Sequence, residues 1–447
     1  MLKSIRLFAN QFFIEEEDFD KGDDEYNDNS SAAVTKRSNH EKSQGDFLKL
    51  TRIEFCTRQS ISQTKSITSI LRRSPYLQLL TLDCFDQEID ILSVIGENCP
   101  DLRKISTKTM DNRSRFMRNA LRSMNNTLGV AATKIGATAV ISKKKQSTPL
   151  SKTGELQFIQ LDNIQSITPL SQRLKISSNT LQAISLSMNV NSLRTAFSDW
   201  QPLFSWHVMP RMTTLEITNG CEAFYQFFTS IPIYFPALES LRLVGDRTAS
   251  LPPSGDVDRN GGGNRFKSVL WDDIVDVVGQ LPKLSNLEFE ALFMGTMDFR
   301  TLLSALEKGN RVSNLIAQHY YKPDLKYLGL ISCRNIDVST MMLITRIKSL
   351  QQFVFHCPKD EAFSEPDTRQ IIALLGNAPW LHHIELGGAG LPITELIARD
   401  IIHTWKIDSN KKKKLTLTDN INYFGRKKDI KKLFMRNWSV YINIAVM

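Results

Sequence analysis

The sequence predicts an α/β fold in which short strands and helices alternate many times. The expected result is a right-handed, horseshoe-shaped solenoid with a parallel concave sheet and convex helices. Three observations predict it: a short apolar phrase recurs, its copies are regularly spaced, and between copies the apolar period lengthens from about two residues to about 3.6. No single strand–helix unit can bury its own apolar face, so neighbouring units must stack.

The recurring phrase consists of three apolar residues separated by two variable residues and then by one, often with a proline two places ahead. It is clear at residues 77–82, 238–243 and 325–330. Most successive copies start 25 to 31 residues apart, which is near the length of one strand–helix unit. The starts are residues 2, 50, 77, 102, 156, 181, 212, 238, 284, 325, 350, 381 and 412.

Between the phrases, apolar residues at helical spacing predict one helix for many of the units. Examples are Ile91-Leu92-Ile95 and Leu302-Leu303-Leu306. Similar patterns surround Ile70, Val277, Ile344 and Ile371. Because strand and helix always follow in the same order, the strands are expected to be parallel.

Residues 1–447 are predicted to form one solenoid with three irregular segments. Residues 15–46 form an acidic, disordered insertion that is too polar to pack, and residues 245–265 form a loop rich in Gly and Asp. Residues 406–447 form a basic C-terminal cap. The 54-residue interval between the starts at 102 and 156 predicts a hidden repeat that opens at Asn126, with Ala131 and Thr133 at its inward places.

Composition and charge favour a protein partner over a membrane or a nucleic acid. No apolar run approaches the roughly 18 residues of a membrane-spanning helix, and the N-terminus lacks the order of a signal peptide, which predicts a cytoplasmic or nuclear location. The formal charge is +9. An acidic segment (15–28) and a basic one (406–436) nearly cancel, so the remaining excess is expected to be diffuse, which argues against nucleic acid. The six cysteines form no CxxC pair, so no disulfide framework is expected.

The sequence offers no catalytic, cofactor or metal motif, and the prediction is a protein that is not an enzyme. Residues 261–263 are three glycines, but no Lys-Ser or Lys-Thr follows them as in a phosphate-binding loop. His382 and His383 are adjacent on a predicted strand and would face opposite sides, so they are poorly placed to hold one metal ion together. Residues 411–414, four lysines, are either a nuclear import signal or a solvated loop before the last strand.

Two stretches carry a family resemblance. Residues 325–333 resemble the consensus of the leucine-rich-repeat (ribonuclease-inhibitor-like) superfamily, with Cys333 where the consensus has Asn or Cys. Residues 97–102 (Glu-Asn-Cys-Pro-Asp-Leu) resemble the helix-to-strand junction of the cysteine-containing repeats in F-box proteins. The resemblance implies that the repeats hold a protein substrate while an F-box docks on a cullin adaptor. No F-box-like segment precedes the first phrase at Leu2, so we expect either a truncated sequence or a lost F-box.

The predicted binding site is the concave face, because side chains alternate along a strand and the variable residues face away from the core. Phe158 and Tyr327 are its expected aromatic anchors. The mixed charges of this face suit a protein better than a phosphate backbone. The candidate residues are Arg52, Glu54, Phe158, Gln160, Glu216, Arg242, Glu288, Tyr327, His383 and Glu385.

The function that this pattern favours is substrate recognition within an F-box-type ubiquitin ligase adaptor. Two alternatives remain open at this point: an interaction scaffold that works without a ligase, and a regulator of a small GTPase. No cofactor is expected under any of the three.

Overall fold

The recurring apolar phrases form neighbouring strands of one parallel sheet. In a computed structural model of the chain, the described residues contain fourteen strands that pair in sequence order, β1 to β9 and then β12 to β16. Strands β10 and β11 form a separate antiparallel pair. The residues that the structure describes are 4–8, 50–56, 61–82, 91–107, 117, 119–120, 155–164, 167–188, 208–218, 228–245, 274–292, 296–308, 310–311, 320–321, 324–358, 361–388, 390–406, 414–418 and 442–443.

Thirteen of the described strands begin two residues after the predicted start of a phrase, so the prediction of thirteen strands is confirmed. The described part of the chain has sixteen strands in all. They are β1 (Ser4–Phe8), β2 (Arg52–Cys56), β3 (Leu79–Leu82), β4 (Lys104–Thr107), β5 (Phe158–Ile164), β6 (Ala183–Met188), β7 (Thr214–Thr218), β8 (Ser240–Val244), β9 (Asn286–Glu290), β10 (Asn310–Arg311), β11 (Tyr320–Tyr321), β12 (Tyr327–Ile331), β13 (Gln352–His356), β14 (His383–Gly387), β15 (Lys414–Thr418) and β16 (Ile442–Asn443). Strands β10, β11 and β16 were not predicted.

Helices follow the strands at the places where the apolar spacing becomes helical. They are α1 (Ile61–Arg72), α2 (Ile91–Asn98), α3 (Ser171–Ile176), α4 (Ile231–Tyr234), α5 (Thr296–Lys308), α6 (Val338–Ile344), α7 (Glu365–Gly376) and α8 (Glu395–Lys406). Residues 274–280 are also helical, and Thr168–Leu170 form a 3₁₀ turn. Three of the described helices have a side-chain N-cap: Asp337 accepts from the backbone of Thr340, Ser364 from that of Asp367, and Thr394 from that of Ile397.

The same pair of backbone hydrogen bonds recurs where successive strands begin, and it keeps neighbouring strands in register. The backbone N–H groups of Gln78 and Leu79 both donate to the carbonyl of Thr51, at 2.9 and 3.0 Å. Gln78 in turn accepts from the first two residues of the next unit, and the same arrangement continues to the carbonyl of Gln351, which accepts from His382 and His383. Equivalent residues of successive units therefore lie side by side across the sheet.

The hydrophobic core lies between the sheet and the helices. Strands β2 to β9 and β12 to β15 turn apolar residues towards it, as Leu80 and Leu82 of β3 do, and they are buried with Leu71 of α1. Full burial of one such side chain contributes about 1.5–3 kcal/mol. Because the contacts are made with neighbouring units, the array is stabilised by stacking, and the predicted fold class, an α/β leucine-rich-repeat solenoid, is confirmed.

The hidden repeat predicted at Asn126 is wrong as a strand of the sheet. Lys104 of β4 pairs directly with Phe158 of β5, so no strand lies between them. On the helical side, Arg173 of α3 reaches back and its Nη2 donates to the carbonyls of Cys99 and Leu102, at 3.1 and 3.3 Å. The inward alanine and threonine of that phrase offer far less apolar surface than leucine, and less burial means a weaker strand.

The direct pairing of β4 with β5 makes residues 108–154 an insertion and changes the interpretation of the charge. These residues include ten basic side chains and one acidic side chain, Asp111, a net of +9. The positive excess is therefore concentrated in this insertion, and the expectation of a diffuse excess is wrong.

Several predicted segments lie outside the described residues and stay predictions. They are the acidic insertion 15–46, the loop 245–265 apart from Gly245 at its start, and the lysines 411–413. The predicted cap 406–447 contains the strands β15 and β16, so the described part of it continues the sheet.

Candidate functional site

The concave face is the face of the sheet opposite the helices, and one row of residues runs straight across its middle. Each member of this row lies at the third position of its strand and is aligned with its neighbours by the backbone register. Most members are polar, because the core is on the other side of the sheet. From β2 to β15 the middle row is Glu54, Thr81, Ser106, Gln160, Ser185, Glu216, Arg242, Glu288, Gly329, Val354, Glu385 and Thr416.

The ten candidate residues divide into an accessible group and a buried group. Arg52 is exposed, and Glu54, His383 and Glu385 are half-buried, so these four are available to a partner. The other six are buried, and the expectation that they are displayed on an open surface is wrong; they are Phe158, Gln160, Glu216, Arg242, Glu288 and Tyr327. Strand alternation assigned each side chain to a face correctly, but alternation carries no information on what covers that face.

An ion cluster is buried at the centre of the concave face. Arg242 of β8 lies in register between Glu216 of β7 and Glu288 of β9. Its Nε donates to Glu288 Oε1 at 2.6 Å, Nη1 donates to Glu216 Oε1, and Nη2 donates to Glu290 Oε2. One guanidinium thus serves three carboxylates, an arrangement that Arg makes possible through its planar set of donors. The cluster holds three strands together, and among the described residues it combines three carboxylates with one guanidinium.

Tyr327 extends the ion cluster to the next strand. Its hydroxyl donates to Glu288 Oε2 at 2.5 Å. The tyrosine passes over Gly329, where an added Cβ would lie 2.8 Å from the Tyr327 Oη and 2.8 Å from the Glu288 Cγ. Tyr327 also packs on Val354 of β13. Tyr327 therefore links neighbouring strands of the concave face and is buried, while its role as a partner anchor stays a prediction.

Phe158 is buried on the concave face by another part of the same chain. It forms a small cluster with Met117 and Ala183 that is separate from the main core, and Ala120 packs against this cluster. The Lys104 ammonium lies 5.3 Å from the centre of the Phe158 ring, at cation–π distance. Phe158 already has contacts on several sides, so it is not an open anchor either.

One accessible part of the concave face lies on β13 and β14, towards the C-terminal end of the sheet, and we call Gln352, His356, His383 and Glu385 the C-terminal patch. His356 Nε2 lies 3.1 Å from Glu385 Oε1, and both side chains are about one quarter exposed, 27% and 25%. Gln352 Nε2 contacts His383 Nδ1, and His383 Nε2 lies 3.4 Å from the hydroxyl of Thr416. The patch is thus held in place by its own hydrogen bonds while it faces solvent.

At the other end of the sheet, Arg52 and Glu54 form a second accessible place. Their side chains lie 3.9 Å apart on β2, and that of Arg52 is more than half exposed. An exposed pair at this distance contributes little stability. Its charges are available for recognition.

Cys99 and Cys333 are buried and hydrogen-bond to backbone carbonyls of the preceding units. Cys333 lies in the turn after β12 and its Sγ donates to the carbonyl of Phe289 at 3.3 Å. Cys99, after α2, contacts the carbonyl of Leu71 at 3.6 Å. Burial raises the pKa of each thiol to about 12, although Arg173 acts in the opposite direction on Cys99 and backbone hydrogen bonds from the 292 and 331 positions do so on Cys333. Both thiols are protonated at neutral pH and unreactive.

Within the described part of the chain, no group of three or more His, Cys, Asp or Glu side chains is placed to hold a metal ion. Among the same residues, no helix combines the length and the apolar character needed to cross a membrane.

The comparisons with known proteins concern the fold. No protein-family model matches the chain, and no curated protein matches its sequence. Among solved structures, the leucine-rich repeat-containing protein LegL7 from Legionella pneumophila is similar, with 14% identity and a TM-score of 0.37 over 80% of this chain and 91% of that one. A likeness at this level carries no argument about function. The assignment of the fold class follows from the strand order and register described above.

Proposed function

We propose that this protein recognises another protein with the concave face of its sheet, and that the C-terminal patch is the main contact. The observation that carries the proposal is the hydrogen-bonded order of four half-buried polar side chains on two adjacent strands. Side chains that are already fixed lose less conformational entropy on binding, so a preordered patch is favourable for recognition.

The chemistry of the C-terminal patch supports a protein ligand rather than a nucleic acid. Glu385 contributes a carboxylate, His356 and His383 contribute imidazoles, and Lys414 is exposed beside them at the start of β15. A phosphate backbone requires a continuous row of cations, and a carboxylate in the middle of the patch repels it. A protein surface with mixed donors and acceptors is complementary to such a patch.

A charge reversal in the patch tests the proposal, with the same change on the convex side as its control. Glu385→Lys is compared with Glu395→Lys, which alters a half-buried residue at the start of α8. Proteins recovered by quantitative affinity purification with the wild-type chain are expected to be lost with Glu385→Lys and retained with Glu395→Lys. If both variants, with unchanged circular dichroism, recover the same partners as the wild type, the patch is not the contact.

The finer proposal is a substrate-recognition role in an F-box-type ubiquitin ligase, acting in the cytoplasm or nucleus. It is supported by the resemblance of residues 97–102 to the junctions of F-box repeats, where Cys99 is buried between successive units. It predicts that a cullin adaptor co-purifies with the protein expressed from its own gene, and that a bound substrate becomes ubiquitinated. Partners recovered without any cullin adaptor would favour the scaffold function. A co-purified small GTPase with altered nucleotide hydrolysis would favour the GTPase regulator.

A further inference from the structure

The concave face at β5 and β6 is covered by a segment of the same chain. Met117 is 1% exposed and packs with Phe158 and Ala183, and Ala120 lies against them. Residues 117, 119 and 120 are helical. Phe158 and Ala183 lie in register at the first positions of their strands, whereas Ile159 and Ile184 beside them belong to the main core. Met117 is therefore on the side of the sheet opposite that core.

On the helical side of the sheet, the units that contain β4 and β5 pack directly against each other. A Cβ added to Gly96 of α2 would lie 3.3 Å from the carbonyl oxygen of Pro169, so α2 directly contacts the 3₁₀ turn that follows β5. Arg173 spans the same junction with its hydrogen bonds to the carbonyls of Cys99, Pro100 and Leu102. Met117, which belongs to the insertion after β4, thus occupies the concave face at β5 and β6.

The fit of this occupant is incomplete at Gln160. Gln160 lies two residues beyond Phe158 on the same face, is fully buried, and is flanked in register by Ser106 and Ser185. Neither its side-chain amide nitrogen nor its oxygen has a hydrogen-bond partner among the residues that the structure describes. A buried amide without partners is unfavourable, so a ligand that supplied a donor and an acceptor here would bind better than the present cover does.

We infer that Phe158, Ala183 and Gln160 form a subsite for a helical peptide segment of the partner, and that Met117 occupies it within the same chain until the partner displaces it. The inference rests on the proposed function. The partner segment has a long unbranched apolar side chain for the Phe158–Ala183 contact and a polar group for Gln160. It is also basic, because the present occupant belongs to an insertion with a net charge of +9 and the neighbouring Glu216–Arg242–Glu288–Glu290 cluster combines three carboxylates with one guanidinium.

A peptide added in trans tests this subsite without knowledge of the partner. The probe is a fluorescently labelled peptide of residues 111–124 (DNRSRFMRNALRSM), with four arginines against one aspartate. It is titrated by fluorescence anisotropy into the full chain and into the full chain with Met117→Asp, which weakens the internal cover. We expect the variant to bind the peptide at least tenfold more tightly than the wild type, because the wild-type subsite is already occupied.

Matched controls separate displacement of the cover from nonspecific binding. Met342→Asp makes the same change at an exposed methionine of α6, 41% exposed, and should bind the peptide as the wild type does. A peptide that carries the Met117→Asp change should not bind any of the chains. If Met117→Asp lowers the melting temperature too far for use, Met117→Ala replaces it with the same expected direction.

A substitution at Gln160 tests the subsite a second time, through both the melting temperature and the affinity for the peptide. In Gln160→Met the unfavourable buried amide is removed, so the covered state should melt a few degrees higher and bind the peptide in trans more weakly than the wild type. Equal peptide affinity for wild type and the Met117 variants overturns the subsite, and so does a lower melting temperature of Gln160→Met. Neither result bears on the Glu385→Lys experiment. If that experiment shows no loss of partners, the proposed function is contradicted, but the peptide-binding result is unaffected.

Discussion

The hydroxyl of Tyr327 on β12 donates to Glu288 on β9 at 2.5 Å, across two strands that are neighbours in the sheet but 39 residues apart in the chain. This contact joins the unit that begins at Leu325 to the buried ion cluster of the preceding units. It shows how the concave face is held together: polar side chains bind one another along the rows that the strand register creates.

Tyr327→Phe is expected to lower the free energy of unfolding by about 1–3 kcal/mol, because Glu288 loses a buried donor. Urea denaturation of the wild type and the variant measures the difference. Tyr76→Phe is the control, since Tyr76 is 49% exposed and its loss of a hydroxyl should change stability by less than about 0.5 kcal/mol. Equal effects of the two substitutions would contradict the role of the Tyr327–Glu288 contact.

Arg242→Met is expected to lower the free energy of unfolding by about 3–5 kcal/mol, because it leaves three buried carboxylates without their shared cation. Arg242→Lys should restore little of this, because one ammonium group does not reproduce the three contacts of the guanidinium. Arg399→Met on α8 is the matched control, since the Arg399 side chain is 64% exposed. Calorimetric melting of the three variants gives the comparison, and a fully stable Arg242→Lys protein would count against the cluster.

Gly388→Ala is expected to destabilise the chain by more than about 1 kcal/mol. Gly388 has a φ of +83° after β14, and an added Cβ would lie 2.1 Å from the carbonyl oxygen of Cys357 in the preceding turn. Gly376→Ala, in the last turn of α7, is the control and should be neutral or stabilising, because alanine favours the helix. The midpoints of thermal unfolding of the two variants measure the difference. Equal midpoints would contradict the close approach of the turn at Gly388 to the turn at Cys357.

The thiols of Cys99 and Cys333 are expected to resist alkylation in the folded protein. Both are buried, and burial raises the pKa of each to about 12, so almost no thiolate is present at pH 8. Iodoacetamide labelling followed by peptide mass spectrometry should show these two residues modified only after addition of urea. Rapid labelling of either residue under native conditions would show that its turn is open.

The lowered pKa of Asp337 predicts that the folded protein becomes less stable as the pH falls into the acid range. Burial acts to raise its pKa, but hydrogen bonds from the side chain and backbone of Thr340 and the charge of Arg300 outweigh burial and hold the pKa below the usual 3.8. A lowered pKa stabilises the folded chain above pH 3.8, and this contribution is lost as the pH falls through the folded-state value. Asp337 also caps α6, so Asp337→Ala should cost about 1 kcal/mol at pH 7.

The difference in free energy of unfolding between the wild type and Asp337→Ala should become smaller when urea denaturation is repeated below pH 3.8. Asp324→Ala is the control, because the Asp324 side chain is 72% exposed and no cap depends on it. A difference that stays constant from pH 7 down to pH 2.5 would contradict the ionised cap.

The sequence predicts the repeat well because each phrase carries its own local signal. Leu80 and Leu82, for example, follow the period of a strand, and Ile91, Leu92 and Ile95 follow that of a helix, so strand and helix positions follow directly. The prediction fails between β4 and β5, where weak apolar spacing at Ala131 and Thr133 imitates a repeat. Only the pairing of Lys104 with Phe158 excludes a strand there.

The candidate site was harder to predict for a physical reason. Alternation assigns Phe158, Arg242 and Tyr327 to the concave face, and this is correct. It does not reveal that Met117 packs over Phe158, or that Arg242 and Tyr327 are engaged with glutamates of neighbouring strands. Those contacts depend on residues distant in sequence. A signal was present in part, since a glutamate or arginine occupies the same place of three consecutive phrases, Glu216, Arg242 and Glu288.

Site-specific photo-crosslinking in cells tests most directly whether the concave face is the recognition surface. A photoreactive amino acid is placed at Gln352, in the C-terminal patch on β13, or at Arg369, 47% exposed on α7 of the convex layer. The proposal predicts a crosslinked partner protein from position 352 that Glu385→Lys abolishes, and no such product from position 369. A partner that crosslinks from position 369, and from 352 not at all, would place recognition on the helices and contradict it.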